Sequence, residues 1–220
     1  MNTFRLARTA AATILLAAAC AQASAASPVA VFDFNGAPTA LAPTSVADHL
    51  SATSVSFGGG AFDGESLPAA GALDFSTFGT GYLQFSITVE NGWELDAQSL
   101  VVRAATLLYG SGIELRSSAD SFASSLHSSV LNTGYPNYNT YTANLGTVTA
   151  LQNLTGTTTF RLYGTSAFGD AQFAVDSLAL SGELGPVAAP VPEPETYALM
   201  LAGLGVVGAM ARRRRARAAG

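Results

Sequence analysis

Cysteine is nearly absent from this 220-residue chain, and Cys20 is its only one. Cys20 lies in an N-terminal apolar run, so everything beyond it must fold without a disulfide, on a core of its own. Basic residues are scarce between residues 26 and 185. That stretch has three arginines (Arg103, Arg116, Arg161), no lysine and thirteen Asp or Glu, a net charge of −10. Such a balance excludes nucleic acid as a partner, because phosphates are neutralised by Lys and Arg. Histidine occurs twice, at His49 and His127, and no Gly-x-Ser-x-Gly elbow accompanies the many serines, which argues against a serine nucleophile. Phe57-Gly58-Gly59-Gly60 lacks the Gly-Lys-Ser/Thr of a phosphate loop. A helical apolar period is also missing from this stretch, and only Ser121 to Val130 is compatible with a short helix.

The two ends are what the chain has instead. Arg5 and Arg8 precede an apolar run from Ala10 to Ala19, and Ala23-Ser24-Ala25 fits a small-residue cleavage site, with Ala21-Gln22-Ala23 as the alternative. Residues 1–25 are therefore expected to be a signal peptide cut after Ala23 or Ala25. Lipidation of Cys20 is disfavoured because Leu16 stands one position too far upstream of it. At the other end, residues 186–195 carry Pro186, Pro190, Pro192 and Pro194. Each proline fixes φ and lacks an N–H, so this segment is a stiff, extended stalk. From Tyr197 to Ala211, 15 residues carry no charge. As a helix they would span about 22 Å, short of a hydrocarbon core of about 30 Å. Arg212, Arg213, Arg214, Arg215 and Arg217 follow, and snorkelling arginines extend the reach and mark the cytoplasmic side. Residues 196–211 are thus read as a transmembrane helix, 212–220 as a cytoplasmic tail, and 26–185 as a body outside the cytoplasm. Gly203-Leu204-Gly205-Val206-Val207-Gly208 spells GxGxxG, but with no strand or βαβ unit around it the glycines suit close helix packing in a membrane better than a dinucleotide.

Val191-Pro192-Glu193-Pro194, the apolar span and the arginine cluster, in that order, closely resemble the PEP-CTERM sorting signal. The resemblance covers the last 30 residues. It implies recognition by an exosortase-type membrane cysteine protease, and a Gram-negative, exopolysaccharide-making host. The catalytic residues would then belong to the exosortase.

The body reads as β throughout. Leu83, Phe85, Ile87 and Val89 alternate with Gln84, Ser86 and Thr88, which predicts a half-buried strand. Thr159 to Tyr163 and Ile113 to Arg116 repeat the pattern, and further runs are Val29–Phe34, Ala52–Phe57, Ser99–Leu108, Tyr138–Leu145 and Gln172–Leu180. The segments around 58–81 and 131–137 read as long loops. About eight short strands with uneven loops point to a two-sheet sandwich of jelly-roll type. The opening Val31-Phe32-Asp33-Phe34, the central Phe160-Arg161-Leu162-Tyr163 and the closing Phe173 to Gly182 resemble galactose-binding-like jelly rolls. That resemblance implies a structural calcium ion shared by acidic residues of the first and last strands, here Asp33 and Asp176. The apolar phase slips between Val175 and Leu178, so a bulge is expected at Asp176-Ser177.

Two further clusters carry chemistry. Trp93, the only tryptophan, and Tyr135, Tyr138 and Tyr141 interleaved with asparagines are candidate glycan contacts, since aromatics with a polar tip suit half-wet surfaces. Glu90, Glu94 and Asp96 surround Trp93, but an Asn91-Gly92 turn accounts for them more simply than a glycosidase pair does. The sequence therefore describes a non-enzymatic, exported β-sandwich protein with an exosortase, the export machinery and exopolysaccharide as partners. A carbohydrate-binding module is the alternative, and a secreted hydrolase trails both.

Overall fold

A computed structural model describes residues 26–34, 41–59, 66–67, 72–78, 81–108, 110–166, 170–188, 198–208 and 210. The expected cleavage residues Ala23 and Ala25, the motif Val191-Pro192-Glu193-Pro194, and Arg212, Arg213, Arg214, Arg215 and Arg217 lie outside the described residues.

The described residues between 26 and 188 form two antiparallel sheets. The strands are β1 (Ser27–Asp33), β2 (Ser45–Val46), β3 (Leu50–Ala52), β4 (Ser56–Gly58), β5 (Ser66–Leu67), β6 (Ala72–Phe78), β7 (Tyr82–Val89), β8 (Trp93–Thr106), β9 (Ser111–Ser117), β10 (His127–Val130), β11 (Asn139–Asn144), β12 (Gly156–Ser166) and β13 (Asp170–Pro186). One sheet runs β11-β8-β13-β1-β2, with β6 also beside β13 and β5 beside β6. The other runs β10-β9-β12-β7-β3, with β4 also beside β7.

The long strand β13 ties the first sheet together. It pairs with β8 along most of its length, while its other edge is shared: Asp170–Val175 face β6 and Ser177–Gly182 face β1. The β8 register shifts between Val175 and Ser177, so Asp176 is the bulged residue, at the point where the partner strand changes. The expected bulge is therefore present. An extra residue there lets one strand bend toward two successive neighbours.

Alternation fixes which faces meet. On β7, Leu83, Phe85, Ile87 and Val89 are buried while Tyr82, Gln84, Ser86 and Thr88 are half-buried on the outer side. Phe160 and Leu162 of β12 and Ile113 and Leu115 of β9 join the inner face. Phe32 of the first sheet meets Phe85 of the second at 4.9 Å between ring centres, and Phe85 meets Phe160 at 5.5 Å. Each such side chain contributes roughly 1.5–3 kcal/mol by leaving water.

Three expectations need correction. Ser121–Val130 is not a helix: a 3-10 turn covers Ser118–Asp120, Ser121 and Phe122 have φ of 60° and 63°, and β10 follows. Consecutive left-handed residues stop a helix at once. The segment read as a loop around 58–81 contains β5 and β6. Pro186 ends β13, opposite Trp93, rather than opening the stalk. A proline without an N–H is tolerated at a strand end.

Residues 198–208 are helical, and all of them are exposed. Leu199 is 74% and Val207 65% accessible, so apolar surface points outward on every side. No helix among the described residues is long and apolar enough to cross a membrane; the remainder of the expected 196–211 span lies outside them.

Candidate functional site

The expected site residues fall into two separate groups. Trp93 opens β8, whereas Tyr141 pairs with Val102 near its other end, so the structure does not bring the tryptophan and the tyrosines together. Gly92 has φ +88°, and the Trp93 N–H donates to the Glu90 carbonyl at 3.1 Å, which closes the expected turn. One face of the indole is covered: the His49 ring stacks on it at 3.8 Å and 11°. His49 Nδ1–H donates to Glu90 Oε2 at 2.7 Å, and His49 itself has φ 61°.

Tyr135 and Tyr138 meet edge-on at 6.2 Å. Arg103 lies 5.1 Å over the Tyr138 ring and donates from Nη1 to Asp176 Oδ2 at 2.5 Å. Arg103 therefore joins the tyrosine cluster to the expected calcium ligand, a link the sequence did not show. The positive charge beside the nearly buried Asp176 is a guanidinium, and Asp33 is exposed one register step away, opposite Ser177. No group of three His, Cys, Asp or Glu that could hold a metal occurs among the described residues. Tyr141 turns its hydroxyl inward to the loop, donating to Asn132 Oδ1 at 3.2 Å and accepting from the Asn132 N–H at 3.3 Å. Asn132 and Tyr135 line a shallow depression of about 420 Å³ with Thr106, Leu107, Leu131 and Gly134.

The outer face of the second sheet holds a third constellation, which sequence reasoning missed. Register places Tyr82 opposite Tyr163, Gln84 opposite Arg161, Ser86 opposite Thr159 and Thr88 opposite Thr157. On the other edge of β12, Arg116 stands opposite Arg161 and Glu114 opposite Tyr163. Tyr82 and Tyr163 tilt together at 5.2 Å. The Arg161 guanidinium lies between two rings, 4.1 Å from the centre of Tyr82 and 3.7 Å from that of Phe122, and its Nε–H donates to Gln84 Oε1 at 3.1 Å. Arg116 sits 5.2 Å over Tyr163 and donates from Nε to Glu114 Oε1 at 3.0 Å, with Nη2 also 3.0 Å from that oxygen in the ion pair. Two arginines directly opposite repel, and Glu114 relieves this by neutralising one of them. The same hydrogen bond and charge hold the Arg116 pKa above its ordinary value.

Phe122 reaches this face through the strained loop after the 3-10 turn. Its N–H donates to the Ser117 carbonyl at 2.8 Å, and its own carbonyl accepts from Arg116 Nη1 at 3.2 Å. Asp120 pins the loop by accepting the Ser124 N–H at 2.9 Å. Hydrogen bonds from Ser124 are the main reason the Asp120 pKa lies below its ordinary value. Farther along the same face, Ser86 and Thr159 share a hydrogen bond at 2.7 Å, and Thr88 and Thr157 one at 2.8 Å. The face thus runs from rings and guanidinium groups at one end to paired hydroxyls at the other. The alternation of β7 and β12 signals that these side chains point outward. It carries no information on which strands pair or where Phe122 lands.

Comparison with known proteins identifies the tail. Residues 190–215 match the PEP-CTERM protein-sorting motif. That motif implies an exported protein processed by an exosortase. No curated protein matches the chain in sequence. Similar solved structures include a family 36 carbohydrate-binding module in complex with calcium and xylotriose, at 20% identity and a TM-score of 0.39 over 60% of this chain and 93% of that one. Another is the CBM36-1 domain of a multidomain xylanase from the hindgut metagenome of Trinervitermes trinervoides, at 12% and 0.42 over 64% and 99%. A family 29 module mutant complexed with mannohexaose matches at 11% and 0.40 over 72% and 93%.

Proposed function

We propose that this chain is a non-enzymatic surface or matrix protein, cleaved from its membrane-held precursor by an exosortase and associated with exopolysaccharide. The jelly-roll-type body is its payload, residues 1–25 direct its export, and residues 190–220 are the device that holds and releases it. The order of the tail carries this reading: a proline-rich motif, an uncharged span and an arginine cluster within the segment 190–215 that matches the sorting motif. The outward apolar surface of helix 198–208 supports it, because such a helix lowers its free energy by leaving water.

Changing Pro192 and Pro194 together to alanine removes the rigid hook while leaving the apolar span and arginines. In a host with a working exosortase, the doubly substituted chain is expected to stay at precursor length in the membrane fraction, where the unaltered chain is shortened and released. Equal release of both on an immunoblot with mass readout would refute the role of the motif.

A second reading, contact with a defined glycan, is favoured by one observation. The outer face of the second sheet presents Tyr82, Tyr163 and Phe122 around two guanidinium groups beside a row of hydroxyls.

A further inference from the structure

We infer that the outer face of the second sheet, centred on Arg161, binds a carboxylate-bearing polysaccharide such as a uronic acid polymer. This deepens the glycan reading above by fixing the site and the chemical class of its ligand. The body has three arginines against thirteen carboxylates. Arg103 is bound to Asp176 and Arg116 to Glu114, but no carboxylate pairs with Arg161 among the described residues. Its Nε–H is used by Gln84, and its Cζ lies 4.1 Å from the Tyr82 ring centre and 3.7 Å from that of Phe122. The edge carrying Nη1 and Nη2 remains for a ligand. A planar guanidinium held by two rings and by Gln84 offers two parallel N–H groups, the geometry that a carboxylate accepts.

The neighbours fit a sugar chain better than an acidic peptide. Tyr82 and Tyr163 supply ring surface with a polar tip, and the Ser86–Thr159 and Thr88–Thr157 pairs continue the face along β7 and β12. Alternate residues on a strand repeat about every 6.6–6.8 Å, so the row forms an extended track rather than a point site. A body of net charge −10 has no general attraction for a polyanion. Capture therefore depends on local contacts. The strain in Ser121 and Phe122 is consistent with a built clamp, since residues held at φ of 60° and 63° persist only where surrounding bonds over-determine them. Here those bonds come from Ser117, Arg116 and Ser124.

The test is affinity electrophoresis of the full-length chain through gels containing polygalacturonate or, in parallel, neutral dextran. Polygalacturonate is expected to retard the chain and dextran to leave it unaffected. Arg161→Gln and Arg161→Lys should each weaken retardation roughly tenfold or more, as expected for loss of a charge-assisted pair, with the circular dichroism spectrum and a cooperative melt retained. Lysine keeps the charge but loses the planar fork, so rescue by lysine would contradict the fork geometry. Thr140→Ala, an exposed position on β11 of the other sheet, should leave retardation unchanged. A second measurement needs no substitution: polygalacturonate should protect Arg161 from phenylglyoxal, read by peptide mass, and dextran should not. Equal retardation by the two polymers, none by polygalacturonate, or undiminished retardation of a folded Arg161→Gln chain would overturn the assignment. None of these outcomes bears on tail cleavage, which is read from the C-terminal mass.

Discussion

The sandwich and the tail helix use apolar side chains in opposite ways. In the sandwich, Phe32, Phe160 and Phe173 have no exposed surface, and alternation turns polar side chains outward. In the helix over 198–208, Leu199, Leu201, Leu204 and Val207 are all more than 60% accessible. One region is amphipathic and makes its own core; the other has no polar face to turn toward water. The difference teaches that the chain is written for two solvents. The body's apolar side chains find their partners within the sandwich, whereas those of helix 198–208 find none among the described residues.

The largest expected effect is on location. Removing residues 190–220 should abolish membrane retention and processing while leaving the body's unfolding free energy within about 0.5 kcal/mol, measured by urea denaturation of both forms. A large loss of stability would mean the two regions are not independent. Next, Phe160→Ala empties the centre of the sandwich and should cost about 3–5 kcal/mol. Leu204→Ala in the tail should not move the same urea midpoint.

A smaller contrast lies within the body, between two of its three arginine–tyrosine pairs, Arg103–Tyr138 and Arg161–Tyr82. Arg103→Ala strands the nearly buried Asp176 carboxylate and should cost about 3 kcal/mol, the lower end for a broken buried pair because Arg103 is 45% exposed. Arg161→Ala strands no carboxylate and should cost about 1 kcal/mol through lost ring contacts. Equal losses in chemical denaturation would erase the distinction between a structural guanidinium and a ligand-facing one. The smallest effect concerns pH. The folded-state pKa of Asp120 is depressed below its ordinary 3.8, chiefly by Ser124. Its contribution is therefore fully present above that value and fades as pH falls through the lower folded value. Hydrogen-exchange protection in loop 118–124, taken against the intrinsic rate at each pH, should fall in acid, and Ser124→Ala should blunt that fall.

Much of this architecture is legible in the residues themselves. The alternation at Tyr82–Val89 marks β7 with its observed ends, and the slipped apolar phase at Asp176 marks the bulge. These features are local, so period alone reveals them. The β6 strand is less legible, because Asp74, Ser76 and Thr77 interrupt its apolar residues and its partner β13 lies about a hundred positions away. The arginine face is hidden for the same reason. Tyr82, Arg116, Phe122 and Arg161 come from three strands and a left-handed loop, and only strand pairing and two positive φ angles bring them together. Conversely, Trp93 stands out in the sequence by rarity, yet its indole serves as a platform for His49.

The role of the tail is tested most directly by intact-mass spectrometry of the protein recovered outside cells that carry an exosortase. Release of a shortened chain, cut near residues 191–194 and lacking Arg212 to Arg217, is the predicted result. A secreted protein that still ends in that arginine cluster would contradict it.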